Sequence, residues 1–312
     1  MPTAPNANLS RNPSPRELQR GDILSFSAGA TELNPDKYRV IQQQTTRLEN
    51  SIKKFPELLD YISLLKPPLI INCYPAPAGI FSNAIFIDTY LRPQNFSRAL
   101  LLAHKNKLNI ILSGQPLVIF HLLLQHQKNN FPFPKPIIIG VGGYYCPLSL
   151  EKAFMQLLEK NHVKGIVFHG YGIGELEANC LVGRRAKNTN NIHYQSVIDA
   201  ITPLIKNNKL FLKNIINNTE FDTEDFAELT SDKNIIIKNN SSRLSPELIN
   251  LLEGWSALDW HRKTGYVGLK NKDFIFQLRE GEASNDNNEM DFYDFAKSFP
   301  FSWLDKPNWG MK

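Results

Sequence analysis

The stretch HGYGIGELEANCLVG, His169–Gly183, gathers residue types that can do chemistry: Gly170, Gly172 and Gly174 alternate with Tyr171 and Ile173, and Glu175, Glu177 and Cys180 follow. Glycines allow positive φ and close approach of a ligand. A tyrosine offers a stacking surface, and a glutamate can accept a hydroxyl proton or ligate a metal. The plain alternative is a tight loop between two strands, with solvated carboxylates. Cys180 has the chemistry of an acyl-accepting nucleophile, but a small buried hydrophobe is the preferred reading. His169 is a candidate neighbour of a carboxylate substrate. The seven histidines are otherwise scattered, and His121 and His126, five apart in a helix-like segment, have poor metal spacing. Packing or surface roles are expected for them and for His104. Asp259 and His261 are unassigned.

A chain of 312 residues with 42% hydrophobic content can furnish a continuous core in one large or two modest domains. The formal charge of +5, from 35 basic and 30 acidic residues, is spread along the chain, so neither a nucleic-acid stripe nor a polybasic tail is expected. Cys73, Cys146 and Cys180 are odd in number and far apart, which argues against a disulfide framework or zinc site and for a reducing compartment. The apolar runs are short for a bilayer span, and the first twenty residues lack a signal-peptide core. The expectation is a soluble cytoplasmic protein with no membrane partner.

The fold class expected is α/β. Residues 1–21 read as a flexible leader. DILSFS reads as a strand, AGATELNPDK as a loop, and KYRVIQQQTTRLENSIKKFPELLDYISLL as helix interrupted by Pro56. Apolar runs (PLIINCYP, NAIFIDTYL, NIILSG, PIIIGVGG, KGIVFHG) then alternate with helical segments (NFSRALLLAHKN, PLVIFHLLLQHQK, SLEKAFMQLLEKN), the pattern of βαβ units and a largely parallel sheet flanked by helices. Residues 22–178 form this subdomain. From 179 to 282 shorter runs (IHYQSVI, KLFLKNII, NIIIKN, DFIFQL) predict a second, mostly antiparallel sheet beside the first, in a smaller β-rich subdomain. NNTEFDTEDF and KNNSSRLSP read as loops. Residues 283–312 form an aromatic tail that packs on the body or on a partner.

Four spaced elements between about Asp22 and Glu282 together resemble the adenylate-forming superfamily, which includes acyl-CoA synthetases, phenylacetate-CoA ligases and acyl-protein synthetases. SFSAGATELNPDK, Ser25–Lys37, is similar to its Ser/Thr/Gly-rich phosphate loop. The resemblance implies that Ser27, Gly29 and Thr31 hold ATP phosphates while Lys37 adds positive charge. Glu32 stands where the family has a second glycine. PIIIGVGG followed by a helix resembles the strand and glycine pair beside the acyl and adenine pocket, which assigns Gly142 and Gly143. HGYGIGE resembles Tyr-Gly-x-Thr-Glu. By that likeness Tyr171 and Gly172 border adenine and Glu175 holds magnesium, with Gly174 in place of the threonine. TGYVG with the later FIFQLR resembles the block whose aspartate binds ribose; Tyr266 occupies that place, and Arg279 matches the hinge arginine.

The resemblance implies the core of an adenylate-forming large domain that lacks the small C-terminal lid domain and much of the N-terminal subdomain, with a partner chain supplying the missing domains as one expectation. The leading function is ATP- and magnesium-dependent activation of a small carboxylic acid, with catalytic roles for Lys37 and Glu175. The acyl group would pass to CoA, an acyl-carrier protein or another acceptor. The rival is a catalytically degenerate homologue serving as a binding or scaffold subunit.

Overall fold

The computed structural model of the chain describes residues 23–25, 39–41, 47–63, 66–73, 84–89, 93–142, 146–173, 177–187, 189–216, 218–238, 250, 252–257, 260, 263–270 and 273–280. Its architecture is α/β, a large mixed sheet flanked by helices. Two compact units divide it. One comprises Glu57–Ala76, Ala84–Phe168 and Asn240–Lys312, the other Met1–Pro56, Pro77–Asn83 and His169–Asn239.

The first unit is the βαβ region that the apolar alternation predicts. Strands β3 (Leu69–Cys73), β4 (Ile85–Asp88), β5 (Ile110–Gly114) and β6 (Ile137–Gly142) lie in the order β4-β3-β5-β6, and all three pairings are parallel. Helices α2 (Pro93–Asn106), α3 (Pro116–Lys128) and α4 (Leu148–Lys160) are the crossovers. A core gathers around Ile71, Leu112 and Ile139 from the strands and Leu100, Ile119 and Phe154 from the helices. Parallel strands buried on both faces read as continuous Ile/Leu runs, which is why these segments were legible. Phe120 meets Phe154 edge to face at 5.2 Å between centroids, fixing α3 against α4. At the carboxyl ends of β3 and β5 the backbones come so close that a Cβ on Gly114 would stand 2.9 Å from the carbonyl carbon and oxygen of Cys73. Only glycine permits that approach.

Strand β7 (Gly165–Ile173) neighbours β6 in the strand order, and the division between the units falls within it. In the second unit, β8 (Glu177–Arg185), β9 (Ile192–Ser196), β10 (Ile201–Lys206), β11 (Lys209–Asn214), β12 (Thr219–Leu229) and β13 (Ile235–Ile237) pair antiparallel in the order β8-β9-β13-β12-β11-β10. The antiparallel pairing is as expected, but these strands do not form a second, separate sheet: they stand in the same eleven-stranded order as β3–β7. Its core contains Tyr171, Cys180, Tyr194, Leu210, Leu212 and Ile235.

Four local expectations are corrected. RVI, read as part of a long helix, is strand β2 (Arg39–Ile41) paired antiparallel with β1 (Ile23–Ser25). Helix α1 covers only Arg47–Lys54, and a 3-10 turn at Pro56–Asp60 follows because proline supplies no N–H to continue it. NNTEFDTEDF, read as a loop, enters the eleven-residue strand β12. HGYGIGELEANCLVG, also read as a loop, is mostly a hairpin: β7 and β8 pair antiparallel through His169–Gly183, Tyr171–Leu181 and Ile173–Glu177. The TGYVG block lies inside β14 (Lys263–Lys270), which pairs with β15 (Asp273–Glu280).

Candidate functional site

Gly142 is the last residue of β6, and Tyr171 and Gly172 lie in the last three residues of β7. Both positions are at the carboxyl end of a strand, the end where open α/β sheets take ligands. Ser27, Gly29, Thr31, Lys37, Gly143 and Glu175 lie outside the described residues, as do Asp259 and His261. Tyr266 and Arg279 are brought onto one hairpin. Tyr266 pairs with Gln277, and Arg279 pairs with Thr264, two positions from Tyr266 on the same strand.

Tyr171 is turned into the core of its unit. Its relative exposure is 9%, its ring contacts Tyr194 edge to face at 6.0 Å, and its hydroxyl donates a 2.5 Å hydrogen bond to the Asp225 carboxylate. Burial, reinforced by the Asp225 charge, pushes the phenol well above its usual range, so it stays a protonated donor. Thr223 Oγ1 accepts from the Asp225 amide and donates to the Leu210 carbonyl, completing a short polar chain inside the sheet layer. Little of the ring is left for a ligand to cover. Gly172, the next residue, is exposed.

Cys180 is buried, and its thiol donates to the Tyr171 carbonyl at 3.6 Å, the setting of a small core residue. The thiol of Cys73 is likewise enclosed, and burial drives it far from ionisation, which removes it as a nucleophile. His126 faces the Pro132 carbonyl from Nε2 at 3.2 Å and is lowered by burial, while Nδ1 of His104 faces the Phe133 carbonyl at 3.0 Å. These histidines tie helices to the 131–133 segment, as the packing reading expects. Burial also pulls His121 down to about 4.

Sequence reasoning passed over several polar groups at strand ends and in the core. Asp225 was hidden in a segment taken for loop. Asn72 and Thr89 are fully enclosed at the ends of β3 and β4: the Asn72 amide donates to Asp88 at 3.3 Å, and its carbonyl accepts from the Thr89 hydroxyl at 2.8 Å. Glu253 caps α4, its two carboxylate oxygens accepting from the amides of Leu148 and Ser149 at 2.9 and 3.1 Å. Gln115 joins β5 to α3, and the Gly-Gln-Pro sequence after an apolar strand is a signal that could have found it. Among the described residues no group of three or more His, Cys, Asp or Glu is placed to hold a metal. Among them, too, no helix is long and apolar enough to cross a membrane.

No family model matches the chain, and no curated protein does. Among solved structures it is similar to coronafacic acid ligase from Pectobacterium brasiliense, with 12% identity over 85% of this chain and 59% of that one at a TM-score of 0.43. An acyl-CoA synthetase (AMP-forming)/AMP-acid ligase II-like protein from Dyadobacter fermentans gives 11% identity over 82% and 73% at 0.42. The amide bond synthetase McbA from Marinactinospora thermotolerans gives 10% over 72% and 50% at 0.44. The chain thus spans 59% of the length of the coronafacic acid ligase.

Proposed function

We propose that the chain is an adenylate-forming ligase that activates a carboxylic acid. The carboxylate attacks the α-phosphate of ATP, the bond to the leaving pyrophosphate breaks, and acyl-AMP results. A thiol, amine or carrier-borne group, such as CoA or an acyl-carrier protein, then takes the acyl group and releases AMP. Lys37 and the phosphate-loop residues Ser27, Gly29 and Thr31 would offset charge on the triphosphate, and Glu175 would hold magnesium. The observation that carries the reading is positional. The Tyr171-Gly172 pair comes at the carboxyl end of β7, after three parallel pairings in a sheet whose helices cross over as a ligand-binding α/β sheet requires. The reducing cytoplasm suits a chain whose Cys73, Cys146 and Cys180 are all buried thiols outside any disulfide.

A second reading, a homologue that keeps the fold as a binding or scaffold subunit without adenylation, is favoured by the engagement of Tyr171 with Asp225 and by tyrosine at position 266.

Calorimetry with ATP and magnesium, followed by pyrophosphate release across a panel of acids, separates the two. Acid-dependent pyrophosphate supports the ligase. Nucleotide binding without pyrophosphate from any acid supports the binding subunit, and no nucleotide binding removes the first reading. Glu175→Gln should abolish magnesium-dependent ATP binding in a folded protein. Tyr266→Asp should tighten AMP binding on the order of tenfold, since a carboxylate accepts from both ribose hydroxyls.

A further inference from the structure

We propose that the N-terminus of α3 is a binding site for the carboxylate of a small organic acid. One residue, Gln115, separates the end of β5 at Gly114 from the start of α3 at Pro116. Its backbone is extended, with φ −73° and ψ 141°, and its side chain makes no capping bond. Its carbonyl accepts from Ile119 at 3.0 Å, closing the first turn. Pro116 has no N–H, so the amides of Leu117 and Val118 are the remaining donors of that turn, and neither has an acceptor among the described residues. The Gln115 Nε2 is a third donor that is buried without a partner. Gln115, Leu117 and Val118 are each only 4% exposed, so bulk water does not satisfy them.

Three enclosed donors at the positive end of a thirteen-residue helix demand an acceptor, and the two backbone amides fix that polarity whichever way the Gln115 amide is turned. Helix α4 shows what such a terminus takes in this fold: both oxygens of the Glu253 carboxylate on two successive amides. Among the described residues no side chain plays that part at α3, and the carboxylate of a ligand would fill it. A planar, singly charged group suits the enclosed setting, because a doubly charged phosphate loses far more hydration on burial. The location agrees, since β5 delivers Gln115 at the carboxyl end of the parallel sheet. Under the acid-activation reading, on which this meaning rests, the ligand is the substrate acid. The site is tested without nucleotide, so its failure and the failure of adenylation are told apart.

The experiment is an amide NMR titration of the full chain with sodium acetate, sodium succinate and inorganic phosphate at constant ionic strength. Saturable downfield shifts of the Leu117 and Val118 amides with acetate or succinate, and none with phosphate, are expected. Gln115→Met should weaken that binding about fivefold, the worth of one hydrogen bond, and Gln115→Glu should abolish it by repulsion. Absence of saturable shifts in the native protein overturns the proposal, as does equal response to phosphate or unchanged affinity in a folded Gln115→Met protein. If neither variant folds, the native titration decides alone.

Discussion

The hydroxyl of Tyr171 donates to the carboxylate of Asp225 across 2.5 Å of core, joining β7 to β12 although 54 positions separate the two in the chain. The pair replaces an apolar contact at the centre of the antiparallel layer, and Asp225 is only 7% exposed. Removing the donor leaves a buried carboxylate short of a partner. Tyr171→Phe should therefore destabilise the protein by about 1–3 kcal/mol in urea unfolding. The same variant should leave any ATP affinity within about twofold, because the hydroxyl is spent on Asp225. A large affinity loss with unchanged stability would show that the tyrosine serves a ligand instead.

Tyr171 also predicts an alkaline limit. Its folded pKa lies above the unfolded value near 10, so only the unfolded chain gives up this proton as pH rises past 10. Stability present below pH 10 should fall above it, and the fall should be shallower in Tyr171→Phe, as followed by unfolding midpoints from pH 9 to 11.

At the acid side, His121 is 5% exposed and its pKa is lowered to about 4 from 6.5. Above pH 6.5 it is neutral in both states and contributes no pH dependence. Between about 6.5 and 4 only the unfolded chain takes the proton, so stability should drop by an amount on the order of 2–3 kcal/mol across that window. His121→Leu should flatten that part of the profile.

Truncation of Glu253 tests the α4 cap. Glu253→Ala should cost about 0.5–2 kcal/mol, the usual worth of a helix cap, and Glu253→Gln should recover part of it because one oxygen still accepts. Unfolding curves for the three proteins, with equal costs for the two variants, would deny the charged, two-point contact with Leu148 and Ser149.

Gly114→Ala should destabilise by about 1–3 kcal/mol, since the new methyl would meet the Cys73 backbone at 2.9 Å and backbone cannot rotate aside. A stability equal to that of the native protein would mean β3 and β5 can separate at their ends.

What the sequence made visible follows from where each segment is buried. LIINC, IILSG and IIIGVG are apolar throughout because both faces of a parallel sheet are covered, and they stand out at a glance. Strand β12 did not, because its inward positions are Thr219, Phe221, Thr223, Asp225 and Ala227, a row whose polar members are satisfied by partners distant in sequence. Propensity also misled at Arg39–Ile41, where pairing with β1 outweighs the helical character of the residues that follow. The glycines around Tyr171 suggested a hinge, yet they extend a strand, since a pairing partner such as Val182 or Gly183 cannot be inferred locally. The open donors at α3 needed the absence of a cap to be seen, and a sequence displays residues, not vacancies around them.

The outward row of β12 carries Glu220, Asp222, Glu224 and Glu228, and Lys206 of β10, Lys209 of β11 and Lys238 just past β13 pair with three of these carboxylates. With one large apolar side chain on its inward row, this strand is told which way to face less by what wants to be inside than by what refuses to be. A slip of one residue would send the acids inward and expel Asp225 from Tyr171. Alignment here is thus enforced by exclusion. The layer keeps its phase because the neighbouring frame would bury charge.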